Sequence, residues 1–121
     1  MRAIRLLLLL ETATFVGASL IHQGVLVGGY RHQQASVAEA VIAIVLAFGL
    51  LLTWTPIPWA RRAAIGSQAF GIVGVLVGLF TIAIGVGPRS GPDLVYHGGI
   101  LATLIAGLAI AWRRTASSGG V

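Results

Sequence analysis

Residues 37–55 read VAEAVIAIVLAFGLLLTWT, an apolar run that contains one acidic residue, Glu39. At about 1.5 Å per residue, an α-helix of this length rises about 28 Å, and the hydrocarbon core of a bilayer is about 30 Å thick. Such a run is typical of a transmembrane helix. The stretch therefore predicts a membrane span, and the rest of the chain is interpreted around it.

The composition of the whole chain agrees with a membrane protein. Of the 121 residues, 57% are apolar and 9% are charged, against about 45–50% and about 25% in soluble domains. The mean hydropathy is +0.96. The sequence has no cysteine, which excludes disulfide scaffolds, cysteine-based zinc sites and thiol nucleophiles.

Three further stretches have the length and composition of membrane spans. The predicted spans cover residues 4–27, 37–55, 64–86 and 94–112. Glycine and proline mark the connections, as at Gly28-Gly29 and at Pro56-Ile57-Pro58, where they favour turns. The sequence predicts an all-α, integral membrane four-helix bundle that forms a single transmembrane domain over residues 1–121.

The basic residues are all arginine, and most of them lie beyond one end of the predicted spans. Six lie at the termini and in the middle connection: Arg2, Arg5, Arg61, Arg62, Arg113 and Arg114. Arg31 and Arg89 lie in the other two connections. Because basic residues flanking spans stay on the cytoplasmic side, we predict a multi-pass protein of the cell (inner) membrane with both termini in the cytoplasm. The use of arginine alone beside abundant glycine and alanine suggests a bacterial source.

The sequence pI of about 11.5 is explained by these topological arginines, so we expect the lipid bilayer and no nucleic acid as partner.

The first span has an alternative interpretation as a signal peptide. Arg2 and Arg5 precede a leucine run, and residues 16–18 resemble a small-residue cleavage site. Glu11 interrupts the apolar region, so we interpret this segment as a retained span.

Small residues recur along the third and fourth spans at intervals that favour close helix packing. They are Gly71, Gly74, Gly78 and Gly85 in the third span and Gly99, Thr103, Gly107 and Ala111 in the fourth. In lipid, close backbone approach replaces the hydrophobic drive between helices. The pattern predicts either a tight pair of helices within the chain or an interface between copies of a homo-oligomer. We expect the protein to be a homo-oligomer or a subunit of a larger membrane complex. The alternative is that glycine is simply common in membrane helices.

Ionisable side chains inside the spans gather near the predicted outer face. They are His22, Glu39 and His97, with Asp93 and His32 close by. Such a group costs at least about 2.5–3.5 kcal/mol on insertion scales, so it is a functional hypothesis by default. Counting at about 1.5 Å per residue places His22, Glu39 and His97 in one layer, with His32 just above it. Asp93 precedes His97 by one helical turn, and we expect its carboxylate to accept the imidazole N–H of His97.

This layer predicts an outward-facing ligand site. Its metal ligands would be His22, His97, His32 and Glu39, with Asp93 orienting His97, and the set suits zinc, copper or iron. Two histidines on different helices would alternatively bind a haem b, and a quinone-like ligand would need only hydrogen bonds. The protein would then have a binding or accessory role, with any redox activity belonging to a larger enzyme complex.

Each member of the layer also has a structural explanation. Ser36 and Glu39 match a capping box, in which Glu39 returns to the backbone N–H of Ser36. Asp93 lies in a first turn, where an acid complements the helix dipole, and His32 is expected to be a solvated loop residue. A single hydrogen bond to a neighbouring helix would satisfy His22. A purely structural assembly subunit therefore stays open as an interpretation.

Glu11 is the acidic residue that the span boundaries place in the inner half of the first span. It lies on one helical stripe with His22, and we expect this stripe to face the interior of the bundle. Burial favours the neutral form of a carboxylic acid, so Glu11 is predicted to bind a proton.

A four-span chain of this length with a carboxylate in its first span resembles the small multidrug resistance transporters. The resemblance covers the first span and implies that Glu11 corresponds to their essential glutamate, in an oligomeric, proton-coupled transporter. The chain departs from that family in its strong arginine bias and in its aromatic positions. No phosphate-binding glycine loop or pair of catalytic carboxylates is supported, so we do not expect catalysis by this chain alone.

Overall fold

A computed structural model describes residues 1–26 and 28–118, with side chains described as far as Arg113. The described chain forms the helices α1 (Arg2–His22), α2 (Gln33–Leu52), α3 (Ala60–Ala83) and α4 (Gly91–Ser118). Each is long and apolar enough to cross a membrane. The predicted all-α four-helix bundle is confirmed. Val27, the predicted end of the first span, and the side chain of Arg114 lie outside the described residues.

The helices are arranged in chain order around a ring. Packing is most extensive between α1 and α2, while α4 returns to α1 through the thinnest of the four seams, and α1 barely touches α3 across the bundle. Short connections make consecutive helices antiparallel. We call the end with connections 23–32 and 84–90 the distal end, and the end with the N-terminus and connection 53–59 the proximal end.

All four helix ends at the distal end differ from the predicted spans by three to five residues, and two of these differences have a local cause. α1 ends at His22, before the predicted boundary, because the chain turns at Gly24, whose φ of +80° lies in the left-handed region that favours glycine. α2 begins at Gln33, ahead of its predicted start, because His32 caps it. The Nδ1 atom of His32 accepts a hydrogen bond from the backbone N–H of Ala35 at 3.1 Å.

At the proximal end, an arginine ties α1 to the end of α2. The Nε atom of Arg5 donates to Thr53 Oγ1 at 3.1 Å, and its Nη2 donates to the Thr53 carbonyl at 2.6 Å. The guanidinium also lies 5.1 Å from the centre of the Trp54 ring, within cation–π range. Arg5 therefore satisfies a helix end that would otherwise lack hydrogen-bond partners.

The glycines of α3 lie where neighbouring helices approach closely. A β-carbon at Gly71 would come within 3.0 Å of Leu104 on α4, and one at Gly74 would overlap Ile42 on α2. These positions let α3 pack against two helices at once, as small residues do in membrane bundles. Between 28% and 39% of each span is buried inside the bundle, which leaves most of its surface for lipid.

The small-residue ridge of α4 is divided between the interior and the surface. Gly107 and Ala111 are buried, whereas Gly99 is exposed and has no neighbour within 4 Å of where its β-carbon would lie. Thr103 donates a hydrogen bond to the Gly99 carbonyl at 2.9 Å, within its own helix. Residues four apart drift by about 40° around a helix, so the ridge winds out of the bundle. A homo-oligomer stays a prediction.

Candidate functional site

Three ionisable side chains meet near the distal end, one from each of α1, α2 and α4. The Nδ1 atom of His22 lies 2.8 Å from Glu39 Oε2, and its Nε2 atom lies 3.0 Å from Asp93 Oδ1. The three residues expose 3%, 5% and 7% of their surface, in that order. Both ring nitrogens are therefore engaged, and the imidazole bridges two buried carboxyl groups. We call this group the His22 triad.

The triad replaces two of the local pairings that the sequence predicts. The capping box of Ser36 and Glu39 does not form, because α2 begins before Ser36 and the Glu39 side chain reaches across to α1. The carboxylate of Asp93 does not bind His97. The Nδ1–H of His97 instead donates to the backbone carbonyl of Asp93 at 2.6 Å, and the carboxylate is directed towards His22.

Asp93 is held from its other side by the start of α4. The hydroxyl and the backbone N–H of Ser90 both donate to Asp93 Oδ2, the latter at 3.3 Å. The backbone N–H of Asp93 donates to Ser90 Oγ at 3.2 Å. One carboxylate oxygen therefore serves the helix terminus, and the other is fixed at hydrogen-bond distance from the imidazole.

The other two histidines have different surroundings. His32 is half-buried, and because its Nδ1 accepts from Ala35, its Nε2–H donates to the Val86 carbonyl at 3.2 Å. It links two distal connections instead of lying free in solvent. The Nε2 atom of His97 packs against α3, where a β-carbon at Gly78 would come within 2.9 Å of it. A neutral His97 keeps Nε2 as an acceptor, because Nδ1 carries the proton.

The donor set does not favour the metal hypotheses. Within residues 1–26 and 28–118, no group of three or more His, Asp or Glu side chains could hold a metal ion. A metal-binding imidazole needs an unprotonated nitrogen, and both nitrogens of His22 and of His32 are in hydrogen bonds. The zinc, copper, iron and haem sites stay predictions without a ligand set in this arrangement.

A groove of about 400 Å³ runs along the thin seam between α1 and α4. Its α1 wall is formed by small and apolar side chains, and its distal end is polar. The wall includes Ala13, Gly17, Ala18 and Ile21, and the polar end has His22, Asp93 and Tyr30. Ala13 is exposed at the side of the bundle. The groove volume lies in the range of about 300–1,000 Å³ that is usual for small-molecule sites.

A smaller cavity of about 130 Å³ lies mainly between α2, α3 and α4. Glu39 and His97 line it, and Gln34 and Pro88 lie at its distal side, where Gln34 is exposed. The cavity wall is mostly apolar, but Glu39 and His97 give it polar groups that can hold water, and its volume has room for several water molecules. Glu39 therefore connects the His22 triad to a compartment next to the distal surface.

Tyr96 separates the cavity from the groove. It lines both, and its ring packs edge-on against Phe15 with 6.2 Å between ring centres. Its buried hydroxyl has no hydrogen-bond partner among the described residues. The sequence does not predict the burial of this hydroxyl, because burial of a tyrosine near a span end depends on how the helices meet.

A second buried polar pair lies closer to the bundle centre. Glu11 on α1 and Gln68 on α3 are fully buried, and neither side chain forms a hydrogen bond of good geometry with another described residue. Gln68 is nonetheless close enough to Glu11 to act as a weak hydrogen-bond partner of its carboxyl group. The Gln68 amide packs against Gly107, where a β-carbon would lie 2.6 Å from Nε2. Gln68 was missed because only ionisable residues were compared. Counting from the proximal ends of α1 and α3 places it at the depth of Glu11.

Comparison of the chain with protein-family models, with curated proteins and with solved structures finds no match in any of the three. The resemblance to small multidrug resistance transporters thus depends on the number of spans and on Glu11. The His22 triad, the groove and the cavity are the structural features that carry information about function.

Proposed function

We propose that the protein binds a lipid-soluble molecule of the quinone type, with a hydrogen-bonding oxygen at one end, in the α1–α4 groove. The observation that supports this proposal is the position of His22 and Asp93 at one end of an otherwise apolar groove. Among the ligands considered from the sequence, a quinone-like molecule needs hydrogen bonds and no free imidazole nitrogen. Hydrogen bonding is the chemistry that remains available at this end of the groove, because both ring nitrogens of His22 are already engaged in the triad.

The shape of the groove suits the apolar part of such a ligand. Gly17 has no neighbour within 4 Å of where its β-carbon would lie, and Ala13 beside it is small and exposed. The groove therefore has space along α1 and is accessible from the side of the bundle, where a bilayer would lie. A lipid-soluble molecule would enter laterally and bury its apolar surface there, at about 25 cal/mol per Å².

The polar end of the groove supplies both kinds of hydrogen-bonding group. The hydroxyl of Tyr30 can donate to a carbonyl oxygen, and Asp93 Oδ1 has a second lone pair that can accept an O–H. The topology predicted from the arginines would place this end at the outer leaflet. The protein would then bind its ligand near the outer face, as a binding or accessory component of the membrane.

Binding of decylubiquinone tests this proposal. We expect the full-length protein in detergent micelles to bind one molecule per chain, about tenfold more tightly than decylbenzene, since hydrogen bonds contribute about 0.5–1.5 kcal/mol each. Equilibrium gel filtration, corrected for uptake by empty micelles, measures both. Equal retention of the two molecules would contradict a site with a polar end.

A second candidate function, proton-coupled transport, is favoured by the surroundings of Glu11. A buried carboxylate that lacks a charged partner is costly, and Glu11 is fully buried with neither oxygen in a hydrogen bond of good geometry. Glu11 would therefore hold its proton in this arrangement and release it when the helices move apart. That dependence of protonation on conformation is what a proton-coupled carrier requires.

Glu11→Gln separates this candidate from the first. In proteoliposomes with an imposed pH gradient, we expect the substitution to reduce ethidium accumulation at least tenfold, because glutamine has the same shape but cannot exchange a proton. Glu11→Asp, which keeps the carboxyl group, should restore part of the activity. Unchanged accumulation by Glu11→Gln would exclude a proton-coupling role for Glu11, and decylubiquinone binding should be unaffected in either case.

A further inference from the structure

The geometry points to a proton path that leads from the α1–α4 groove through the His22 triad to the cavity beside Glu39. A ligand hydroxyl bound in the groove would exchange its proton along this path with water at the distal surface. The inference rests on the proposed ligand site, and it adds how that site is coupled to protons.

The path is a continuous series of hydrogen bonds between two compartments. Asp93 lines the groove, and its Oδ1 atom lies 3.0 Å from His22 Nε2. On the opposite side of the ring, His22 Nδ1 lies 2.8 Å from Oε2 of Glu39, which lines the cavity. Since all three side chains are at least nine-tenths buried, the imidazole is the direct connection between the two compartments.

Imidazole suits this connection because it can accept a proton at one nitrogen while it gives up another proton at the second. The O–H bond of the ligand breaks, its electron pair stays on the ligand oxygen, and the proton passes to Asp93. Asp93 then protonates His22 Nε2, while the proton on Nδ1 moves to Glu39 Oε2.

Glu39 releases this proton to water in the cavity, so one proton enters the triad and one leaves it. The reverse sequence, in which the ligand is reprotonated before it leaves, restores the starting tautomer of His22. The exchange is therefore reversible, transfers one proton for each binding event, and needs no electron donor or acceptor.

The charged neighbours of His22 favour proton transfer through its ring. Glu39 faces it from α2 and Asp93 from α4, and the His32 ring lies 6.5 Å away, centre to centre, in the distal connection. The ionisable residues of α3, Arg61 and Arg62, lie at the opposite end of the bundle. An imidazolium between two carboxylates is stabilised as a transient state, because both of its N–H groups have an anionic partner.

A 2-hydroxy-1,4-naphthoquinone with an alkyl tail tests the path, because its ionised form has its own visible absorption band. The full-length protein with bound probe in detergent micelles is mixed from a pH where the probe is neutral to a pH where the probe in empty micelles is ionised. We expect stopped-flow absorbance to follow ionisation of the bound probe, and a pH-indicator dye to report one released proton per bound probe.

His22→Gln is expected to slow ionisation of the bound probe at least tenfold, because glutamine forms hydrogen bonds but relays no proton. The rate is measured at probe concentrations that saturate each variant, so a lower affinity at the polar end of the groove does not affect the comparison. His32→Gln replaces a neighbouring imidazole that lines the cavity but has no hydrogen bond to the triad, and it should ionise the probe at the wild-type rate. If His22→Gln does not fold, Glu39→Gln gives the same expected slowing, since an amide cannot pass the proton to the cavity.

The outcomes separate this inference from the proposed function. Ionisation at the wild-type rate in both His22→Gln and Glu39→Gln, with probe binding intact, overturns the proton path and leaves the ligand site standing. A wild-type protein that does not retain the probe above the level of empty micelles overturns the ligand site and the path together.

Discussion

Replacement of His22 by leucine is expected to lower the free energy of unfolding by about 3–5 kcal/mol, as for other buried ion pairs that lose one partner. The His22 side chain lies between Glu39 and Asp93, so its loss leaves two buried carboxyl groups without their shared partner. Because the three residues come from α1, α2 and α4, the effect should be concentrated at the distal end. Unfolding of the full-length protein in mixed micelles of increasing dodecyl sulfate content, followed by circular dichroism, measures it.

Two further variants show whether the loss comes from the triad. His32→Leu removes a helix cap and should cost only about 0.5–2 kcal/mol. Combining His22→Leu with Glu39→Leu and Asp93→Asn removes every charge of the triad and should recover most of the stability, because apolar replacement of a whole buried ion pair is often neutral. A single His22→Leu variant as stable as the wild type would show that the triad does not hold the helices together.

The number and the approximate position of the helices follow from the sequence because hydrocarbon leaves few alternatives. A chain in lipid must satisfy its backbone hydrogen bonds within each segment, so an apolar stretch such as 37–55 is restricted to a helix. The ends are less constrained. At the distal end they depend on Gly24 and on the cap formed by His32, which hydropathy does not detect.

The sequence predicts how deep the candidate-site residues lie along their helices, but it does not predict which of these residues contact each other. Counting along the spans places His22, Glu39 and His97 in one layer, with Asp93 one turn from His97. In the structure His22 and Glu39 do meet, but the third member of the group is Asp93 and not His97. The predicted partners differ because a sequence pattern gives the face and depth of a residue but not which helix lies opposite. The sequence therefore favours pairings within one helix, such as Asp93 with His97, whereas the fold forms pairings between helices.

The groove was not predictable for the same reason. The groove exists because α4 meets α1 through a thin seam, and a seam is a property of two helix surfaces together. Gln68 differs in that a signal was present. A buried amide in a span needs partners as much as a buried acid does, and its depth equals that of Glu11 by the same residue count.

Replacement of Gly17 by leucine is expected to weaken decylubiquinone binding on the order of a hundredfold. A mismatch of a single methylene group between a ligand and its apolar pocket already changes binding by about 10–200-fold, and leucine adds a whole side chain. Gly17 lines the groove, and a β-carbon there would meet nothing within 4 Å. The leucine side chain should therefore occupy ligand space without displacing a helix. Equilibrium gel filtration with the labelled quinone measures the loss.

Gly66 provides the matched control, because it is an exposed glycine within α3, away from the groove, and also has nothing within 4 Å of a β-carbon. A glycine inside a helix makes the folded protein less stable than an alanine would, by about 0.5–1 kcal/mol. Because both substitutions remove such a glycine, neither protein should be less stable than the wild type. Gly66→Leu should retain full affinity. If Gly17→Leu binds the quinone as tightly as Gly66→Leu does, the ligand does not lie between α1 and α4, because a leucine at this position leaves no room for it there.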